Sequence, residues 1–360
     1  MNKRFVLSVV ALLLCACLLA GCGSTAAPAA PAQEDPAPAA EAAPETEAAP
    51  ETEAAPETEA APEIDATLPV RVYTLNGTTG FGMAGLIAEA AEGGAALNYS
   101  FSVESDPSVV TAALVSGDCD LAALPTNAAS ALYNKTGGKV QVLALNTRGV
   151  LYVLTDGSVQ VESLEDLAGQ TVYAPAQNPS FILEALCRAR GVELTIDNSY
   201  AQPAELNAAV AAGEVGLAVL PEPMVTVACA QNKALTAALD LSAEWDAVME
   251  PGSLVQGCVA VRREFAEAHG AELACFLEEY GRSVALLEED AQAAAQKIEQ
   301  AGIFANAAVA AKAIPRCNIC FVTGEDMQRQ LSVFLQTMFE TAPQSIGGAV
   351  PGDDFYYIAP

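Results

Sequence analysis

From Leu68 onward, short β-branched runs alternate with alanine-rich stretches of helical length, and this alternation confines the chain to an α/β fold. Residues 70–75 read as a first strand, 76–80 as a turn and 81–92 as a helix. A second strand is expected at 98–103. Asp106 then caps a helix that has Pro107 at its first position, and Gly117-Asp118 ends it. Strands at 120–124 and 140–145, separated by a helix that starts at Pro125-Thr126-Asn127, complete a βαβαβαβ unit of the kind that builds parallel sheets.

An apolar extended run at 151–154 and a strand at 171–174 come next. A second, smaller α/β unit then follows, read as a helix at 180–190, a short strand near Thr195, a helix at 204–212 and a strand at 216–220. Residues 254–261 read as a strand returning to the first unit, and helices are expected at 263–269, 272–288, 291–301 and 325–341. Sheet, smaller sheet and return imply two lobes joined by two crossings, one near residues 149–155 and one near 250–261. The expected division is a signal peptide at 1–21, a lipidated cysteine and disordered linker at 22–66, the first part of lobe 1 at 67–155, lobe 2 at 156–250, and the return to lobe 1 with C-terminal helices at 251–360.

Lys3 and Arg4, an apolar run over 5–19 and small Ala20 and Gly21 form a secretion signal, too short to span a bilayer comfortably. Leu19-Ala20-Gly21-Cys22 resembles the bacterial lipobox. That resemblance implies acylation of Cys22 and an anchor on the extracytoplasmic face of the cell membrane; the plainer alternative is a cleaved signal with an incidental cysteine. Each buried methylene adds roughly 0.8 kcal/mol of membrane affinity, so two or three chains on one cysteine hold a protein at a surface where a single chain holds only marginally.

Residues 23–66 carry eleven acidic residues and no Lys or Arg, and repeat Glu-Ala-Ala-Pro-Glu-Thr from Glu41, Glu47 and Glu53, with a partial copy from Glu59. Recurrent proline interrupts any helix, and bulky apolar side chains are too few to offset the entropy of ordering, so the segment reads as a disordered tether. Fully extended it would reach on the order of 130 Å, and as a coil about 35–40 Å. Of the formal net charge of −29, the linker contributes −11 and the signal +2, which leaves −20 on residues 67–360. Such a balance argues against nucleic acid and anionic lipid as partners, since both would be repelled. A monomer is expected.

Seven cysteines remain beyond Cys22, an odd number that leaves at least one free thiol or an intermolecular bond. Most lie in apolar runs, where cysteine behaves as a small core residue. Cys317-Asn318-Ile319-Cys320 has no second such pair, and His269 is the only histidine, so a four-ligand zinc site is not readable. Packing and a local disulfide both remain open for the pair, and no cofactor or metal is expected.

Five stretches carry a wider resemblance: Leu75-Asn-Gly-Thr-Thr-Gly-Phe-Gly-Met83, Gly117-Asp-Cys-Asp-Leu-Ala-Ala-Leu-Pro125, Ser163-Leu-Glu-Asp-Leu-Ala-Gly169, Leu220-Pro-Glu-Pro223 and Ile346-Gly-Gly-Ala-Val-Pro-Gly-Asp-Asp-Phe-Tyr-Tyr357. In this order the chain resembles the solute-binding lipoproteins of ABC importers, in the nitrate/sulfonate/taurine/thiamine-precursor group with the type 2 periplasmic-binding fold. The resemblance implies a hinged two-lobe receptor that closes on a small solute and presents it to a permease driven by an ATPase. Neither catalysis nor a particular ligand is implied. An enzyme of the same fold, or a receptor lipoprotein uncoupled from transport, are the alternatives.

Open α/β sheets bind ligands at the C-terminal ends of their strands. The candidates there are Thr78, Thr79 and Gly80 at the start of the first helix, where a helix N-terminus favours a polar or anionic group. Thr126 and Asn127 follow the third strand, and Ser180, with Gln177 and Asn178, opens the first helix of lobe 2. Glu222, between two prolines at a strand end, suits an amine or protonated ring nitrogen, or caps the helix that follows. Gln256 on the returning strand and Tyr152 near the first crossing complete the set, and Arg148 is the only base near a crossing. Glu222 inclines the expected solute toward a nitrogen heterocycle or amine, within a range of pyrimidine or thiamine precursors, amines and sulfonates.

Overall fold

The computed structural model describes residues 63–359; the signal peptide, Cys22 and nearly all of the expected linker lie outside the described residues. The first lobe starts with β1 (Pro69–Leu75), α1 (Thr78–Phe81), α2 (Ala84–Ala91), β2 (Asn98–Glu104), α3 (Pro107–Ser116), β3 (Leu121–Pro125), α4 (Thr126–Thr136) and β4 (Val140–Arg148). The chain then builds a second lobe from β5 (Leu151–Thr155), β6 (Thr171–Tyr173), α5 (Asn178–Arg190), β7 (Thr195–Asp197), α6 (Pro203–Ala212), β8 (Leu217–Pro221), α7 (Met224–Gln231), β9 (Thr236–Asp240) and α8 (Leu241–Asp246). It returns through β10 (Val255–Arg262) to α9 (Arg263–Ala268), α10 (Gly270–Glu289), α11 (Ala291–Gln300), α12 (Ala307–Ala313), β11 (Ile319–Val322) and α13 (Gly324–Thr341).

Two sheets result, a six-stranded one in the order β11-β4-β10-β3-β1-β2 and a five-stranded one in the order β7-β6-β8-β5-β9. Both are mixed rather than parallel. Strand β10 runs antiparallel to β3 and β4 between them, and β5 runs antiparallel to β8 and β9. The cause is the pair of crossings. A chain that leaves a sheet at the C-terminal end of β4 and comes back at the same edge must re-enter against the direction of the strands it left. Strand β5, which a division at 155 assigns to lobe 1, pairs in the second sheet, so the first crossing is residues 148–151.

The helix expected over 81–92 is broken into α1 and α2. A Cβ on Gly82 would stand 2.8 Å from Tyr280 Oη, and one on Gly85 would stand 2.6 Å from Ser283 Oγ, so both glycines admit α10 to close contact. Ser283 Oγ donates to Gly82 O at 2.6 Å and accepts from Leu86 N at 2.9 Å, which satisfies backbone groups freed by the break. Helix α3 follows expectation, with Asp106 accepting from Ser108 N and Gly117 closing it at φ 82°. The elements not foreseen are β9, α8, α12 and β11. Strand β9 is Thr-Ala-Ala-Leu-Asp, with a single β-branched residue, and β11, Ile-Cys-Phe-Val, has strand-forming residues but only four of them and no apolar/polar alternation, so neither offers the full signature of a strand.

One core cluster joins the lobes, running from Leu124 and Leu145 through Leu151, Val172 and Ile182 to Leu331, Phe334 and Met338. Helix α13 makes this continuity by packing on α5 of the second lobe and on α4, β4 and β10 of the first. Phe334 meets Trp245 with ring centroids 6.1 Å apart, and Trp245 Nε1 donates to Ser253 Oγ at 2.8 Å.

Candidate functional site

The C-terminal edge of the first sheet and the corresponding edge of the second meet at the crossings. Asn178 Nδ2, at the start of α5, donates to Asn127 Oδ1, at the start of α4, over 2.9 Å. Asn127 therefore faces the other lobe, while Thr126 Oγ1 donates to Val255 O at 2.8 Å and ties the start of α4 to the returning strand. Gln256 Oε1 accepts from Val150 N at 2.8 Å, so it links the two crossings.

Two expected positions are committed elsewhere. Ser180 is buried and its hydroxyl donates to Pro175 O at 2.8 Å and accepts from Asn198 Nδ2 at 2.6 Å, both within lobe 2. Helix α1 is a single four-residue turn whose N-cap, Gly77, makes no side-chain cap bond. A macrodipole needs aligned peptides in number, so Thr78 and Thr79 do not stand at the electropositive end foreseen for them. Thr79 O accepts from Asn146 Nδ2 at 3.1 Å, and a Cβ on buried Gly80 would fall 2.0 Å from Leu75 O. Glycine there serves a close backbone approach.

Tyr152 and Glu222 come together, and the residue that unites them is Arg316. Its Nη2 lies 2.5 Å from Glu222 Oε1 and donates to Thr226 Oγ1 at 3.0 Å. Its Cζ lies 5.5 Å from the centroid of the Tyr152 ring, and Tyr152 Oη donates to Arg316 O at 3.0 Å. Glu222 also accepts from Thr226 N at 3.1 Å, so it both caps α7 and pairs with a cation of the chain's own. Burial first, then the carboxylates of Asp240 and Glu222, push the Tyr152 phenol up, so it stays protonated.

Arg148 has the opposite character. Every other arginine among the described residues makes a side-chain hydrogen bond or ion pair, whereas Arg148 Nε is buried without a partner and no carboxylate lies within ion-pair reach. It lines two cavities. One, of about 470 Å³, has an apolar wall of Leu287, Ala291, Ile314 and Pro315, with Glu288 as its acidic member. The other, of about 520 Å³, lies between the crossings and includes Asp240, Ser242, Asp246 and Gly252. Asn318 borders both, with its Nδ2 donating to Gly149 O at 2.5 Å and its carbonyl accepting from Arg148 N at 3.0 Å. Gln330 Oε1, buried and also without a partner, lies 3.7 Å from the place of a Cβ on Gly252, as does Arg148 Cζ.

Arg316, Thr226 and Asn318 were not foreseen. Asn318 falls inside the Cys317–Cys320 stretch and Arg316 directly precedes it, so the sulfurs draw attention from both; the lone arginine in the apolar run Ala-Ile-Pro-Arg-Cys was the available signal. All seven described cysteines are free thiols. Cys320 lines the first cavity with its thiol pushed up to about 12 by burial, against the pull of Arg148. Among the described residues no group of three or more His, Cys, Asp or Glu is placed to hold a metal ion, and no helix is long and apolar enough to cross a membrane.

No family model and no curated protein matches the sequence. Solved structures match the fold. An ABC transporter protein from Parabacteroides distasonis superposes with a TM-score of 0.68 at 20% identity, covering 81% of this chain and 99% of its own. The periplasmic aliphatic sulphonate binding protein SsuA from Escherichia coli does so with 0.63 at 16%, covering 81% and 92%. The ligand binding component of an ABC-type import system from Staphylococcus aureus gives 0.60 at 14%, covering 81% and 96%. The chain thus has the two-lobe periplasmic-binding fold, and its structural neighbours are substrate-binding proteins of transport systems.

Proposed function

We propose that this protein is an extracytoplasmic solute-binding protein, anchored through Cys22, that captures a small organic solute bearing an acidic group and delivers it to an ABC permease and its ATPase. The observation that carries the reading is Arg148, a guanidinium without a partner at the hinge between two lobes. A half-buried arginine left unpaired has its desolvation uncompensated, and a bidentate oxyanion is the ligand that compensates it best. The apolar wall formed by Leu287, Ile314 and Pro315 suits the tail of such an acid. Glu222 no longer argues for a cationic solute, because Arg316 already answers its charge. The sulphonate named for the Escherichia coli neighbour belongs to the same chemical class of acids.

The test is a thermal-shift and calorimetric panel of butanesulfonate, succinate, butanol and putrescine, with small-angle scattering to follow closure. An acid is expected to raise the melting temperature and compact the protein, and Arg148→Gln to weaken it at least about tenfold, or ~1.4 kcal/mol. Preference for putrescine or butanol would remove the acidic solute class. Absence of any binding and any compaction would remove the receptor reading.

A further inference from the structure

We propose that Glu222, Thr226 and Tyr152 form a seat for a guanidinium cation in the second lobe, and that Arg316, reaching over from the first, fills it as a built-in ligand that fastens the lobes to one another. The seat has the parts a cation site requires. The Glu222 side chain is fully buried, so its charge has lost water and must be answered by a close partner. Thr226 orients it, with N donating to Oε2 and Oγ1 donating to Oε1, each at 3.1 Å. The Tyr152 ring supplies an electron-rich face 5.5 Å from the guanidinium carbon.

All three seat residues belong to the second lobe: Tyr152 is on β5, Glu222 follows β8 and Thr226 is on α7. Arg316 arrives from the other side. It lies three residues before the start of β11, which pairs with β4 in the first sheet, and its neighbours Ile314 and Cys317 pack in the cluster formed with Phe81, Leu287 and Ile298. The two sides share no strand or helix here, although α12, which leads into Arg316, packs on α7. The contact is nevertheless a short charge-assisted pair, backed by a second hydrogen bond through Thr226 Oγ1 and a third from Tyr152 Oη to the Arg316 carbonyl. The Arg316 side chain is 39% exposed, so its other nitrogens remain wet while one is seated. A tethered ligand of this kind favours the lobe arrangement that contains it and denies the seat to cations from solution.

The inference is independent of which solute the hinge receives, and its test needs no solute. Arg316→Ala empties the seat while leaving Glu222 in place. Its melting temperature should fall and its radius of gyration should rise relative to the unsubstituted protein. Ethylguanidinium at millimolar concentration should restore several degrees to Arg316→Ala, with methylammonium restoring less, and should leave the unsubstituted protein unmoved. In Arg316→Ala/Glu222→Gln that rescue should vanish. If Arg316→Ala alone fails to fold, Arg316→Met and Glu222→Gln, singly and together, replace it: the double variant should then be more stable than the sum of the single losses predicts. Rescue that persists without Glu222, an Arg316→Ala protein that neither melts earlier nor expands, or strictly additive losses would each overturn the proposal.

Discussion

Asp120 illustrates how little of a residue's role is local. It sits in the Gly-Asp-Cys-Asp stretch ahead of β3, yet its carboxylate accepts from Arg71 N, Nε and Nη2 at 3.0, 2.9 and 2.7 Å and from Arg262 Nη2 at 3.0 Å, tying β1, β3 and β10 together. Burial would raise its pKa, but the hydrogen bonds from Arg71 and Arg262 outweigh burial and hold it below the ordinary 3.8. A carboxylate whose folded pKa is depressed stabilises the protein above its unfolded value and loses that contribution as pH falls through the folded one. Asp120→Asn should therefore cost about 2–3 kcal/mol at pH 7, a figure kept below that for a wholly buried pair because Arg71 is partly exposed. The difference should shrink toward pH 3; urea unfolding that found the same loss at both pH values would contradict this. Glu222 was visible in the sequence as a carboxylate at a strand end, and its partner Arg316 was not. Only the fold brings so distant a residue to it.

At the scale of elements, helix caps and strand runs follow from near neighbours, which is why α3, with Asp106, Pro107 and Gly117, lies where its residues place it. The direction of β10 does not follow from its own residues, because a strand buried on both faces reads the same in either sense. Helix α13 adds a function that its amphipathic pattern conceals: the apolar stripe of Met327, Leu331, Phe334 and Met338 serves both lobes. Phe334→Ala should cost about 3–5 kcal/mol, as large-to-small changes of buried aromatics do. Because Phe334 touches Trp245 of the second lobe, it should also loosen that lobe against the first. Hydrogen exchange would check this: faster exchange in α5 and α8 than in β1 and β2 is expected, and uniform acceleration would mean that α13 stabilises without coupling.

At the scale of the whole molecule, the proposed receptor rests on a strongly acidic chain with a lipobox-like start, a repetitive Ala/Pro/Glu segment and a two-lobe fold. Cys22→Ala should shift the protein from the membrane fraction to the soluble one in a bacterial host; retention in the membrane would sink the anchor. The sequence by itself determined the α/β class, the presence of two lobes and the Asp106 cap of α3, since these depend on side-chain periodicity and on sterics between residues a few positions apart. The tertiary structure alone decided that the sheets are mixed, that Glu222 is answered by Arg316 and that Arg148 is left without a partner. Those outcomes depend on where segments far apart along the chain come to rest, and electrostatic pairing at a few ångströms has no counterpart in sequence distance.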